Sequence, residues 1–171
     1  GGDEAGKAAW HTCPDCARRM QEEGLGSVEE LQSYLIKRIE KYLNSKGRRI
    51  IGWDEILEGG VAPNATVMSW RGTENGIHAI KEGHDVVMTP GEYCYIDYSQ
   101  DAPFREPASI GGYTPLEKVY SYEPVEQALS ETDASHLLGV QANLWSEYIT
   151  EDAHAEYMYY PRAYAIAVVG G

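Results

Sequence analysis

Gly1-Gly2-Asp3-Glu4 places two adjacent carboxylates behind a glycine pair, and four flat aromatic side chains elsewhere stand close to acids and amides: Trp53, Trp70, Tyr95 and Trp145 beside Asp54, Asp97, Asn143 and Glu147. Aromatic faces stack on the apolar side of a pyranose ring, while carboxylates and amides accept hydrogen bonds from its hydroxyls, so this mixture suits a saccharide. Neighbours in an extended chain project to opposite sides. Asp3 and Glu4 are therefore badly placed to flank one glycosidic bond as the paired carboxyls, about 5 Å apart, of an ordinary retaining hydrolase. Adjacent acids better suit a mechanism in which one donates the proton and the other steers a nucleophile that belongs to the substrate.

The bulk properties fit such a catalyst. The chain has 171 residues, enough for one domain and too few for two. A net charge of -13, with 14 basic residues that do not cluster, disfavours a nucleic-acid partner. Arg48-Arg49 is the notable basic pair, and it reads as positive charge near a helix C-terminus. No apolar run of about 18 residues is present to span a membrane, and no signal peptide is visible, although a chain lacking its start would not display one. Three cysteines argue against a disulfide framework. Cys13 and Cys16 form a C-x-x-C with His11 upstream. Without a fourth ligand or a second paired element a zinc site is disfavoured, and structural or surface cysteines are preferred over a local disulfide.

The elements that must hold these groups emerge from periodicity. Val28, Leu31, Tyr34, Leu35, Ile39, Tyr42 and Leu43 recur at helical steps between Ser27 and Ser45, with Ser27 and Glu30 as a capping box and Gly47 as the stop. Strands are predicted over Arg49 to Trp53, Ala65 to Trp70, Asp85 to Met88 and Leu137 to Ala142. Thr73 is predicted to cap a short helix that ends at Gly83. Pro90 to about Tyr122 reads as a long loop, of a length that usually carries function. One final helix is predicted over Asp152 to Val169. Alternating apolar strands and helices imply a parallel sheet with helices outside. A doubly wound sheet would need a G-x-G-x-x-G turn, which is lacking, whereas the polar and aromatic residues cluster just past strand C-terminal ends, as in a (β/α)8 barrel.

The chain resembles the catalytic domain of the β-N-acetylhexosaminidases of glycoside hydrolase family 20 over nearly its whole length. The resemblance rests on GGDE at 1–4, GWDEI at 52–56, SWRG at 69–72, YIDY at 95–98, NLWSEY at 143–148 and YPRAYAIA at 160–167. It implies an α/β fold, a (β/α)8 TIM barrel of which about the last half is present, from the end of the fourth strand through the eighth helix. Residues 1–171 would be one partial catalytic domain truncated at both ends. It implies removal of terminal β-linked N-acetylglucosamine or N-acetylgalactosamine by substrate-assisted, retaining catalysis. Glu4 would be the general acid and base; Asp3 would hold the acetamido N–H and stabilise the oxazolinium ion; Tyr95 would donate to the acetamido oxygen. Trp53, Trp70 and Trp145 would wall the pocket, and Asp97 and Glu147 would accept from the outer hydroxyls. No metal or organic cofactor is implied, and the partner is an oligosaccharide or glycoconjugate ending in N-acetylhexosamine. Members of the family suggest a secreted, periplasmic or lysosomal location.

The remaining conspicuous residues receive plainer readings. Asp54 and Glu55 are expected to order a loop. His11, His78, His84, His136 and His154 share no spacing and are expected at the surface or behind the site. Trp10 is expected to pack against the barrel, and Tyr157 to Tyr160 in helix packing. These 171 residues alone are expected to have little activity. Two rivals stay open: a non-catalytic sugar-binding relative, and a barrel glycosidase using two ordinary carboxylates such as Glu4 and Glu147.

Overall fold

The computed structural model describes residues 4–102, 104–124 and 129–171. In chain order it contains α1 (Lys7–Trp10), α2 (Pro14–Glu23), α3 (Val28–Ser45), β1 (Ile51–Trp53), a 3-10 turn (Asp54–Leu57), β2 (Thr66–Ser69), α4 (Glu74–Lys81), β3 (Val86–Met88), α5 (Gly91–Cys94), α6 (Leu116–Tyr120), α7 (Glu131–Ala134), β4 (Leu137–Val140), α8 (Asp152–Tyr159) and α9 (Arg162–Val169). The four strands form one parallel sheet in the order β1-β2-β3-β4. Sequential order means that every crossover advances the same way, and crossovers of one hand put their helices on one face of the sheet. A doubly wound sheet reverses its order and carries helices on both faces.

Register separates the two faces. Val67 pairs with Val86, and Ser69 with Met88. Val67, Val86 and Met88 are buried with Ala79 and Ile80 of α4 in one core cluster. Met68 and Val87, paired with each other, lie on the opposite, half-exposed face, and Trp53, paired with Met68, shares it by alternation. Trp53 thus stands at the C-terminal edge of the inner face. Between β3 and β4 the register slips, leaving Leu138 unpaired with a β3 residue and 59% exposed.

Helix α3 meets the sheet in an unexpected way. Its predicted apolar stripe is only partly buried: Val28 and Leu31 are covered, but Leu35, Ile39 and Tyr42 remain exposed. The buried face carries Gln32, Ser33 and Glu40 instead, because what it covers is backbone. Gln32 Nε2 donates to the Glu55 carbonyl at 2.9 Å, the Ser33 hydroxyl donates to the Gly60 carbonyl, and Glu40 Oε1 accepts from Asn64 N–H at 2.7 Å. Polar side chains satisfy the loop that α3 buries. The capping box is half formed: Ser27 Oγ accepts from Glu30 N–H, but Glu30 Oε2 accepts from Gly26 N–H, one residue further out than predicted.

Other expectations are corrected. The strands are shorter than predicted at their ends. Thr73 sits in helical backbone geometry and makes no side-chain cap to α4. The long loop contains α5 and α6. The single final helix is two, since Pro161 has no N–H to continue α8 and holds Tyr160 in an extended conformation (ψ 143°). Tyr157, Tyr159 and Tyr160 are more than two-fifths exposed; Tyr160 packs edge to face on Tyr159 at 4.9 Å and against Tyr164 of α9 at 5.2 Å, while Tyr157 OH donates to Glu106 at 2.7 Å. Arg49 serves the sheet rather than a helix end, pairing with Asp85 at 2.9 Å. Helix α2 has no counterpart among the predicted elements. Cys13 caps it, its sulfur accepting from Cys16 N–H at 3.4 Å, and both thiols are free.

Gly59 has φ +71°, and a Cβ there would lie 2.2 Å from the Glu29 carbonyl oxygen in the first turn of α3. The glycine is what lets the loop after β1 touch that helix. Gly59→Ala is expected to lower stability by roughly 2 kcal/mol or more, measured by urea unfolding, since both backbone strain and overlap oppose the methyl group.

Candidate active site

The side chains at the strand ends are positioned by a buried carboxylate. Asp54, the first residue after β1, has no exposed surface. Its Oδ2 accepts from the backbone N–H groups of Trp70 (3.1 Å) and Arg71 (3.2 Å) and from Asn75 Nδ2 (3.3 Å), and its Oδ1 from Arg71 Nε at 2.6 Å. It therefore binds the end of β1 to the turn between β2 and α4. Arg71 continues to Glu58 at 2.8 Å, and Lys7 of α1 joins the same carboxyl. Burial raises the Glu58 pKa, but hydrogen bonds from Lys7 and Arg71 outweigh it and hold the group below its ordinary value. The loop-ordering expected of Asp54 and Glu55 is what the contacts provide. Glu55 Oε1 accepts from Trp70 Nε1 at 2.9 Å and fixes the indole in its plane, while Glu55 Oε2 is buried without a hydrogen-bond partner.

Past the ends of β1 to β4 these anchors open a pocket of about 390 Å3, lined by Glu4, Trp53, Trp70, Tyr95, Asp97, Trp145 and Glu147 and completed by Tyr98, Ile110, Gly111 and Gly112. Every predicted site residue within the described range lies on it; Asp3 falls outside the described residues. The aromatic rings form a continuous wall. Trp53 and Trp145 meet at 5.8 Å between centroids, Tyr95 and Trp145 at 6.4 Å edge to face, and Trp70 and Tyr95 at 6.1 Å with planes 15° apart. Trp145, on the loop after β4, is 42% exposed at the rim.

Tyr95 and Asp97 project from the loop after α5, which is joined to the β4 end by Ile96 N–H to the Asn143 carbonyl and Asn143 N–H to the Cys94 carbonyl, both 2.9 Å. Asn143 is thereby a buried strut, its side chain donating to Thr89 and accepting from Gln141, and it does not line the pocket. Burial raises the Tyr95 hydroxyl well above its ordinary pKa, against a hydrogen bond with Trp145, so it stays a donor. Asp97 is 5% exposed, and its Oδ1 has no hydrogen-bond partner. Burial, reinforced by the negative charge of Glu147, pushes it up to about 6, although its own backbone N–H and Arg162 pull the other way.

Several contributors carry no assignment from the sequence. Tyr98 and the Gly111-Gly112 turn form one rim: Gly112 has φ +76°, and a Cβ there would stand 2.3 Å from the Tyr98 ring. The tyrosine lies within YIDY and the glycine pair is visible in the chain, but their contact is not a local signal. None of the histidines lines the pocket. His84 Nδ1 meets the Ala65 carbonyl at 3.0 Å and His136 meets Asp85 at 3.0 Å, both below the sheet's C-terminal edge. Among the described residues no cluster of three or more His, Cys, Asp or Glu could hold a metal ion, and no helix is long and apolar enough to cross a membrane.

Residues 1–169 match the family described as glycosyl hydrolase family 20, catalytic domain. The chain belongs to glycosyl hydrolase family 20. It is 52% identical over 168 residues to a β-hexosaminidase of Porphyromonas gingivalis, covering 98% of this chain and 22% of that one. It is 36% identical over 173 residues to a β-hexosaminidase of Vibrio furnissii, covering 99% and 28%. The chain therefore spans about a quarter of the length of these family 20 relatives. The fold resembles the family 20 exo-β-N-acetylglucosaminidase of Vibrio harveyi solved with N-acetylglucosamine, with a TM-score of 0.83 and 30% identity over 94% of this chain and 26% of that one. The parallel, sequentially ordered sheet is an arc of the family's (β/α)8 barrel, with the pocket at its C-terminal edge.

Asp97 should destabilise the fold at neutral pH. Its folded pKa lies above its unfolded one, so the folded state binds more protons between them and stability falls as pH rises from about 4 to 6. Asp97→Asn is expected to be more stable than the wild type at pH 7.5 by on the order of 3 kcal/mol, with the gap closing near pH 4. Thermal unfolding of both proteins across that range measures it.

Proposed function

We propose that the protein containing this chain is a β-N-acetylhexosaminidase that removes terminal β-linked N-acetylglucosamine or N-acetylgalactosamine from oligosaccharides and glycoconjugates. The observation that carries the reading is the convergence on one pocket of Glu4, Tyr95, Asp97, Glu147 and three tryptophans that are distant in sequence.

In the proposed reaction the sugar ring lies against the aromatic wall, and Trp70, held by Glu55, faces its acetamido group. Tyr95, kept protonated by burial, donates to the acetamido oxygen, and Asp3 accepts from the acetamido N–H. That oxygen attacks the anomeric carbon from within the substrate while Glu4 protonates the departing glycosidic oxygen. The bond to the aglycone breaks and an oxazolinium ion forms, whose positive charge Asp3 stabilises. Glu4, now a carboxylate, takes a proton from water, which opens the ring at the anomeric carbon and restores the starting stereochemistry. Asp97 and Glu147 accept hydrogen bonds from the outer hydroxyls. With the nucleophile supplied by the substrate, adjacent carboxylates need not straddle the bond.

In the full-length protein, Glu4→Gln is expected to lower kcat/KM by about 10² to 10⁴ on a chitobiose-type substrate, with a smaller loss on a 4-nitrophenyl glycoside whose leaving group needs no proton. Asp3→Asn should impair both substrates alike, and an N-acetylglucosamine thiazoline should inhibit competitively. Turnover unchanged by both substitutions, or indifference to the thiazoline, would refute the scheme.

A further inference from the structure

Arg162, at the start of α9, has no exposed surface, and its guanidinium pairs with no carboxylate among the described residues. It donates instead to carbonyls. Nε and Nη2 reach the Met158 carbonyl at 3.2 and 2.7 Å; Nη2 also reaches the Ile96 carbonyl; Nη1 reaches those of Tyr98 and Thr114 at 2.7 and 3.0 Å. Burial lowers its pKa to about 10, which leaves it charged at neutral pH, with Glu106, Asp97 and Tyr157 acting on it from a distance.

The residue between two of those carbonyls is Asp97. Peptide groups are rigid planes: Arg162 holds the plane that enters Asp97 through the Ile96 carbonyl and the plane one residue beyond through the Tyr98 carbonyl, while the plane between them is held by Tyr98 N–H to the Tyr95 carbonyl at 3.4 Å. Together these fix the Asp97 backbone and the direction of its side chain. Arg162 does not line the pocket, yet it holds Ile96 and Tyr98 from behind while Asp97 lines it in front, with one carboxylate oxygen unpartnered by protein. The same fork takes the Thr114 carbonyl, two residues past the Gly111-Gly112 rim. A planar group with five N–H donors can satisfy four carbonyls at once, whereas an ammonium presents its donors from a single atom.

We propose that Arg162 is a positioning residue for the sugar pocket: by gripping the carbonyls on either side of Asp97 from behind, it aims that carboxylate at the substrate's outer hydroxyls without touching the substrate. The inference rests on the hexosaminidase reading for what Asp97 binds, and on the contacts alone for what Arg162 holds.

The test uses the full-length protein with Arg162→Lys, Arg162→Met, Asp97→Asn and the Arg162→Met/Asp97→Asn double variant. Assayed on a 4-nitrophenyl N-acetylglucosaminide, Arg162→Met is expected to lower kcat/KM by on the order of 10²-fold, mainly through KM. The double variant should be no worse than the poorer single, since both act through one carboxylate. Hydrogen–deuterium exchange read by mass spectrometry should speed up in peptides covering 96–99 and 114 and stay unchanged over β1 to β3. Multiplying losses in the double variant, or unaltered exchange at 96–99 in a folded variant, would overturn the proposal. If Arg162→Met does not fold, Arg162→Lys, which keeps the charge but loses the fork, gives the same two readings. If even the wild type fails to turn over the glycoside, the hexosaminidase reading falls, and the exchange data alone decide whether Arg162 holds the loop.

Discussion

The burial of the Asp54 carboxylate is the constraint on which the mouth of the sheet depends. A charge removed from water must be matched by donors, and here those are two backbone N–H groups, an amide and a guanidinium, all beyond the end of the neighbouring strand. The consequence is geometric. Strands β1 and β2 are only a few residues long, too short for ladder bonds to fix the turns at their C-terminal ends, so the carboxylate extends their pairing beyond the strands themselves. Trp70 inherits its place from this arrangement, and Glu55 in the adjoining position sets the rotation of its ring. The first aromatic wall of the pocket is thus an outgrowth of one buried anion.

The far wall uses the opposite charge by the same principle. Arg162 is surrounded by carbonyl oxygens as Asp54 is surrounded by N–H groups, and each stiffens backbone that has no regular secondary structure of its own. Between them the pocket keeps an unsatisfied carboxylate oxygen, Asp97 Oδ1, together with a tryptophan open to solvent. A sequence selected for stability alone would remove these features; their retention around a single cavity accords with a surface shaped for a ligand.

Much of this is legible in the chain. The strands declare themselves because parallel strands covered by helices are continuous apolar runs, as at Val86 to Met88, and the pocket residues because they come directly after those runs. Helix α2 escapes because its apolar face is short, only Cys16, Ala17 and Met20, and none of its residues is fully buried. Its signals are local: Pro14 in the first turn, the Asp15–Arg18 and Arg19–Glu23 pairs, and Gly24 at φ +66°. The polar face of α3 reads as solvent-facing because a helix that packs on loop backbone inverts the usual pattern. Asp54 and Arg162 can be seen as residues but not as struts, because backbone amides and carbonyls leave no mark in a sequence.

The distance along the chain between Arg162 and its partners has a further meaning. Ile96 and Tyr98 are 66 and 64 residues earlier, whereas the contacts of Asp54 reach no more than 21 residues ahead. During synthesis the near wall can close as soon as Asn75 has emerged, while the loop bearing Tyr95 and Asp97 gains its backbone partner only with Asn143 and its last support only with α9. The two sides of the pocket are therefore separated in the order of assembly, the far side being tied down last, by Arg162.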